Sequence, residues 1–221
     1  MKEEEMNYEL RRAKLVKHLI RWGYLKTPEI IEAISVVPRH LFVPERVRAQ
    51  AYEDYPLEIG LGQTISAPHM VAIMLESLEL RKGHKVLEIG TGLGYHSAVA
   101  SVVVGEKGKI YTVERYSELA EQANKNLEIA GIKNVEVVVG DGSRGLEQFA
   151  PYDRIFATCG APKIPSPLIE QLKENSKLLL PIGSRYMQDL ILVEKINNKI
   201  KTTNLGGCMF VPMIGEYGYK E

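Results

Sequence analysis

The order of elements in this chain predicts an α/β fold, doubly wound around a mostly parallel sheet, with N-terminal helices and a C-terminal antiparallel hairpin. Three observations carry that prediction. From residue 69 onward, short apolar runs alternate with helical stretches, the pattern of a parallel sheet with crossover helices. A glycine cluster, Gly90, Gly92 and Gly94, follows the first of those runs. Two late apolar runs flank Asn197-Asn198, a tight-turn signal for an antiparallel pair. In such a sheet, ligands bind outside the carboxyl ends of the strands, where strand order reverses.

Residues 9–22 read as a helix, with Leu10, Ala13, Val16, Leu19 and Ile20 near one face and Gly23 as its stop. Thr27-Pro28 then supplies an N-cap and a proline at the first helical position, opening a helix over 29–37 that Pro38 ends. Residues 38–68 contain Pro38, Pro44, Pro56, Pro68, Gly60 and Gly62. This is loop chemistry with little regular pattern, and a long loop in a compact domain is usually functional. The predicted helices that follow cover 70–80, 95–104, 117–130 and 165–173. The predicted strands cover 85–89, 109–114, 135–139, 153–158, 177–181, 190–196 and 200–205. The expectation is one domain over 1–221: a helical and loop cap over 1–68 and an α/β core over 69–221.

Composition excludes several classes. The 221 residues carry 28 Lys+Arg and 28 Asp+Glu, so the formal charge is zero. That argues against a nucleic-acid binder relying on a large basic field. At 45% hydrophobic the chain has the material for a core and does not resemble a disordered one. The opening MKEEEMNYELRRAK has no apolar h-region, so no signal peptide is expected, and no run reaches the roughly 18 apolar residues of a membrane span. Cys159 and Cys208 are too few for a disulfide framework and fall short of a zinc ligand set. No metal is expected, and a cytoplasmic location is.

The loop Gly90-Thr91-Gly92-Leu93-Gly94 lies between a predicted strand and a predicted helix, the context of a nucleotide-type glycine loop. Its spacing is G-x-G-x-G, not the dinucleotide G-x-G-x-x-G. Glu88, two residues before the first glycine, would repel a pyrophosphate and attract an ammonium, such as that of S-adenosylmethionine. This tilts the reading toward that cofactor while leaving a nicotinamide open. Glu114 ends the next strand and suits ribose hydroxyls under either reading. Asp141-Gly142 follows the third strand, where an acceptor can take the adenine amine and the glycine admits the ring. The candidate cofactor residues are therefore Glu88, Gly90, Thr91, Gly92, Gly94, Glu114, Asp141 and Gly142. Their order at three successive strand ends resembles the Rossmann-like S-adenosylmethionine-dependent methyltransferases from about Lys85 to Ile196.

The acceptor is read from the irregular segment. Gly60-Leu61-Gly62-Gln63-Thr64-Ile65-Ser66-Ala67-Pro68 and Val37-Pro38-Arg39-His40-Leu41-Phe42-Val43-Pro44 resemble the protein-L-isoaspartate O-methyltransferase family, as do Gly140-Asp141-Gly142-Ser143, Gly160-Ala161-Pro162-Lys163-Ile164-Pro165 and Phe210-Val211-Pro212. The resemblance runs from about Val37 to the C-terminal region. It implies methyl transfer from S-adenosylmethionine to the α-carboxylate of L-isoaspartyl residues in damaged proteins, with S-adenosylhomocysteine as product. The ester closes to a succinimide, and hydrolysis returns part of the material to aspartate. The family's catalytic serine maps onto Ser66. Gln63, Thr64, Ile65 and Ser66 would bind substrate, and backbone groups around Val211 would hold the substrate main chain in extended form.

Chemistry agrees with the resemblance. A carboxylate with a reference pKa near ~4 is already a nucleophile at neutral pH, so no general base is required. The enzyme must align carboxylate, methyl and sulfur and remove water. Charge is lost in the transition state, so a direct cationic clamp would overstabilise the ground state. Neutral donors such as Thr64 and Ser66 suit the task, and two apart in an extended segment they face one side. The sequence shows no His-Asp or Cys-His constellation. His69 reads as a cap or packed ring and His96 as a wall of the site. A nucleic-acid or small-molecule methyltransferase is the alternative, but no D/N-P-P-Y-type motif is present and aromatics are only 7%. An oxidoreductase would want the dinucleotide spacing and no Glu88. A binding protein without chemistry would not need Gln63-Thr64-Ile65-Ser66. The expected partners are isoaspartyl-containing proteins and peptides, with neither nucleic acid nor membrane. Oligomeric state is not readable from the sequence.

Overall fold

The computed structural model describes residues 2–220, with side chains from Glu5 to Lys220. Two N-terminal helices, α1 (Lys2–Arg21) and α2 (Pro28–Val36), precede two 3₁₀ segments, Arg39–Phe42 and Glu45–Gln50. Then follow β1 (Leu57–Gly60), β2 (Gln63–Ile65), α3 (Pro68–Leu78), β3 (Lys85–Ile89), α4 (Tyr95–Val104), β4 (Lys109–Glu114), α5 (Ser117–Ile129) and β5 (Val135–Val139). The chain continues through β6 (Tyr152–Ala157), α6 (Ser166–Glu170), β7 (Leu172–Gly183), β8 (Gln188–Ile196) and β9 (Lys199–Cys208). No described helix is long and apolar enough to cross a membrane.

The main sheet has the order β5-β4-β3-β6-β7-β8-β9. The pairs β3–β4, β4–β5, β3–β6 and β6–β7 are parallel, while β7–β8 and β8–β9 are antiparallel. This is the predicted class. The order reverses between β3 and β6, so the carboxyl ends of those two strands flank the switch-point crevice. β3 is buried along nearly its whole length, as a central parallel strand must be. α4, apolar on almost every side, is buried throughout except at Val102. The hairpin at Asn197-Asn198 forms as predicted, both residues having positive φ (52° and 56°), the conformation its twist requires.

Some expectations change, among them the start of the first helix, which begins at Lys2 and not at residue 9. The segment over 38–68 is more regular than its composition suggests: β1 and β2 form an antiparallel hairpin whose turn puts Gly60, Leu61 and Gly62 at φ 105°, 52° and 68°. Two glycines make that turn accessible, and Leu61 sits 48% exposed at its tip. The helix expected over 165–173 stops at Glu170, because Leu172 already pairs with Tyr152. β7 is therefore much longer than the run over 177–181, with an irregularity between its Tyr152 and Arg154 pairings. The N-terminal helices also contribute to the main buried cluster. Leu15, Val16 and Leu19 of α1 and Ile30, Ala33 and Ile34 of α2 share one buried cluster with Val99, Val103 and Phe156.

Candidate active site

The glycine loop follows β3 at the switch point. Gly90, Gly92 and Gly94 have φ of 95°, 54° and 93°, which other residues adopt only with strain. A side chain at Gly90 is also sterically excluded: its Cβ would stand 2.5 Å from Thr158 Oγ1. Thr158, just past β6, clamps the loop by donating from N to Ile89 O at 2.9 Å and from Oγ1 to Gly90 O at 2.6 Å. Asn126 of α5 donates to Leu93 O at 3.0 Å from the other side. Gly94 caps α4 and faces Ala123 and Leu127 instead of the crevice, so its role here is packing.

A cleft opens at this point, spanning about 530 Å3 counted out into open solvent and lined among others by Gln63, Thr64, Gly90, Gly92, Glu114, Gly142, Thr158 and Val211. A smaller cavity of about 340 Å3 adjoins it, sharing Ile59, Thr64, Gly90, Gly92 and Thr158. Its remaining lining includes Ile65, Ser66, Glu88, Thr91, Tyr95 and His96. The structure therefore brings the predicted acceptor segment and glycine loop against one continuous crevice.

The three predicted acids occupy three different environments. Glu114 lines the larger cleft; its Oε2 accepts from Gly92 N at 2.8 Å and its Oε1 from Tyr116 N at 3.1 Å. Burial raises its pKa, against these N–H bonds. Glu88 lies fully buried under the loop. Its Oε2 accepts from Ser97 Oγ and, at 2.7 Å, from Thr112 Oγ1, which in turn meets Thr91 Oγ1 at 2.7 Å. Thr112 has one proton and donates it to Glu88, so Thr91 is the donor to Thr112. Glu88 Oε1 has no partner. Burial pushes its pKa up to about 8, so the carboxyl holds a proton at neutral pH until a cation approaches.

Asp141 lies two residues past the end of β5. It borders an outer cleft with Arg115, Ile214 and Tyr219, while its neighbour Gly142 lines the main one. Its Oδ1 accepts from Ser143 N at 2.9 Å and Oγ at 2.6 Å, and its Oδ2 from Glu216 N at 2.8 Å. Burial raises its pKa, but the bonds from Ser143 and Glu216 outweigh that and leave it below the ordinary value. The carboxylate is thus engaged in clasping the C-terminal segment over the crevice. At Gly142 a Cβ would fall 2.5 Å from Ile89 Cγ2, so the close approach inferred for that glycine is with β3.

Thr64 and Ser66 both line the smaller cavity, as their alternation predicts, although Ile65 between them also reaches its wall. Gln63 donates its Nε2 to Leu61 O at 3.1 Å across the hairpin turn. Val211 lines the larger cleft, but its carbonyl already accepts from Gly160 N at 2.8 Å, which leaves less of its backbone for a substrate strand. His96 is a wall residue as read; burial, helped by the charge of Arg39, pushes its pKa down to about 3, and neither ring nitrogen has a partner. Cys159 is buried and lines the cleft, while Cys208 is half-buried.

Two features were not visible in the sequence. His69 Nδ1 lies 2.9 Å from Asp54 Oδ1, so a His-Asp pair does exist. It borders neither cavity, and Asp54 also accepts from His69 N at 2.8 Å, as a helix-start contact would. Arg39, fully buried, donates from Nη2 to the carbonyl of Ser66 at 2.8 Å. The site therefore has a cation behind the hydroxyls, where only neutral donors were expected. The only sequence signal of Arg39 was its place within the Val37–Pro44 segment, which carries no mark of burial.

The family model described as Protein-L-isoaspartate(D-aspartate) O-methyltransferase matches residues 10–218. A Methanopyrus kandleri protein named protein-L-isoaspartate O-methyltransferase is 51% identical over 223 aligned positions, covering 100% of this chain and 99% of its own. A Hyperthermus butylicus protein of the same name is 52% identical, covering 100% and 95%. A solved protein-L-isoaspartate O-methyltransferase superposes with a TM-score of 0.86 at 36% identity, covering 94% of this chain and 67% of that one. A Plasmodium falciparum structure described as a beta-aspartate methyltransferase, in complex with S-adenosyl-L-homocysteine, gives 0.82 at 25%, covering 91% and 97%.

Proposed function

The chain belongs to the protein-L-isoaspartate(D-aspartate) O-methyltransferase family, and on that premise we propose how its own residues carry out the reaction. The enzyme transfers a methyl group from S-adenosylmethionine to the α-carboxylate of L-isoaspartyl residues in damaged proteins and peptides, initiating their repair. The observation that carries the reading is the pair of adjoining cavities: Gly90, Gly92 and Thr64 line both, Glu114 lines one and Ser66 the other.

The residues present fit the cofactor. Gly90, Gly92 and Gly142 line the larger cleft through backbone alone, and the unpartnered Oε1 of Glu88 is a buried acceptor suited to an ammonium. When bound, S-adenosylmethionine supplies an electrophilic sulfonium methyl. In our reading Gly90, Thr91 and Gly92 approach it with their backbone, with Gly94 and Asp141 fixing the loop and the C-terminal segment around it. Glu114 would accept from its ribose hydroxyls and Glu88 would hold its ammonium.

Ser66 orients the acceptor carboxylate by donating its hydroxyl, helped by Thr64. Gln63 and Ile65 shape the adjacent wall, and the segment at Val211 borders the substrate backbone. No side chain has to remove a proton, which agrees with a crevice whose histidine, His96, is held neutral. The 1–68 region acts as the cap that delivers the acceptor segment to the 69–221 core. A cytoplasmic location and protein rather than nucleic-acid partners complete the proposal, supported by the two free cysteines and the balanced charge.

The test is methylation of paired peptides that differ only in isoaspartate against aspartate, with tritiated S-adenosylmethionine. Base-labile label confined to the isoaspartyl peptide is the expected result. Equal label in both, or in neither, would refute the acceptor assignment.

A further inference from the structure

Arg39 is the largest of the fully buried side chains, and its hydrogen bonds go to main-chain carbonyls, not to a carboxylate. Its Nε donates to Ala51 O and its Nη2 to Ser66 O, both at 2.8 Å. Its Nη1 is buried without a partner. The guanidinium lies over the ring of Tyr95, 4.8 Å from the centroid. Tyr52, Tyr95 and Asp54 are the titratable groups whose fields reach it. Asp54 is itself held by His69 at 2.9 Å and approached by His18 at 3.8 Å. Burial lowers the pKa of Arg39 to about 10, which leaves it charged at neutral pH.

A buried cation held by carbonyl dipoles and the Tyr95 side chain, with Asp54 as the one carboxylate whose field reaches it, is costly to keep. An apolar residue could fill the same space beneath Ala51 and Tyr95. What the arginine adds is a positive charge one residue behind the proposed acceptor site. Ser66 and Tyr95, the two groups it touches on that side, both line the smaller cavity. The charge is felt inside that cavity, because it contributes to keeping His96 neutral.

We propose that Arg39 is a positioning residue for methyl transfer: through Ser66 and Tyr95 it fixes the main chain of the acceptor segment and supplies the positive potential that selects a carboxylate over a neutral group. Its place behind the serine also suits the chemistry. A guanidinium paired directly with the acceptor would hold back a nucleophile whose charge disappears in the transition state. A charge set one residue back draws the carboxylate in without forming that pair. The proposal rests on the reading that the acceptor carboxylate binds at Ser66.

The experiment is equilibrium binding in the presence of S-adenosylhomocysteine. Two peptides are compared, one with an isoaspartyl α-carboxylate and one with the matching isoasparaginyl α-carboxamide. The wild-type enzyme is expected to prefer the carboxylate. Arg39→Gln, which keeps donors and removes the charge, should weaken the carboxylate peptide by roughly tenfold or more. It should leave the carboxamide peptide within about twofold and S-adenosylhomocysteine affinity unchanged. Arg39→Lys should retain more of the preference than Arg39→Gln. Equal weakening of both peptides by Arg39→Gln, or no weakening of either, would overturn the proposal. If thermal melts show that Arg39→Gln does not fold, Arg39→Lys decides: a retained preference supports the role and a lost one overturns it. A wild-type enzyme that does not distinguish isoaspartyl from aspartyl peptides would instead refute the acceptor reading, so the two failures are separable.

Discussion

The backbone N–H of Gly92 donates to Glu114 Oε2 at 2.8 Å, tying the glycine loop to the end of the neighbouring strand. The same carboxylate faces the larger cleft. One side chain thus sets the loop position and presents an acceptor to the cofactor. Glu114→Gln keeps the size and loses the charge. Because hydrogen bonds to charged groups are worth roughly 1.5–3 kcal/mol, S-adenosylmethionine affinity should fall by at least tenfold, with peptide KM little changed. Calorimetric titration checks this, and equal loss of both would contradict the ribose role.

Glu88 makes the stability of the cofactor-free enzyme pH-dependent. Its ordinary pKa of 4.5 rises to about 8 in the fold, so the native state holds a proton that the unfolded chain releases. The contribution is fully present below about pH 4.5 and is lost as pH rises toward 8, with a slope of at most about 1.4 kcal/mol per pH unit. Urea unfolding across that window should show a smaller decline for Glu88→Gln than for the wild type. Parallel profiles would contradict the burial argument. Binding the cofactor's ammonium at pH 7 should release a proton, measurable by titration in buffers of different ionisation enthalpy.

Gly90 has two independent reasons to be glycine, its φ of 95° and the Thr158 Oγ1 that a Cβ would meet at 2.5 Å. Gly90→Ala should therefore lose about 1–3 kcal/mol of stability together with cofactor binding. Thr158→Ser, which keeps the hydroxyl, should not rescue it. A Gly90→Ala enzyme with unchanged melting temperature would show that the loop relaxes more easily than this geometry implies.

Ser66→Ala removes the hydroxyl proposed to orient the acceptor. On the same scale for bonds to charged groups, kcat should drop by roughly ten- to hundredfold while S-adenosylmethionine affinity stays within about twofold. Single-turnover kinetics with an isoaspartyl peptide would read the chemical step. An unchanged rate would remove Ser66 from the mechanism.

What the sequence disclosed follows from how local each signal is. β3, the glycine loop and α4 are contiguous, and their pattern of apolar run, glycines and apolar helix has one structural solution, so Lys85 to Val104 was readable to the residue. The β1–β2 hairpin was not, because its turn needs three successive positive φ values and one falls on Leu61, which carries no turn signal. The start of β7 was hidden because Leu172 joins the sheet through a pairing with Tyr152 twenty positions earlier, followed by an irregularity. Asp141 was placed at the right strand end, but the bond it accepts from Glu216 N was not foreseen, since that segment has no pattern of its own. Arg39 was invisible for a deeper reason: nothing local distinguishes a surface arginine from one folded under Ala51 and Tyr95.

The most direct test of the account is a crystal structure with S-adenosylhomocysteine and an isoaspartyl peptide bound together. The account predicts the acceptor α-carboxylate within hydrogen-bond distance of Ser66 Oγ, with the amino end of the cofactor product facing Glu88 Oε1 and its ribose on Glu114. A carboxylate seated away from Ser66, or a cofactor product lying outside the crevice between Gly90 and Gly142, would contradict it.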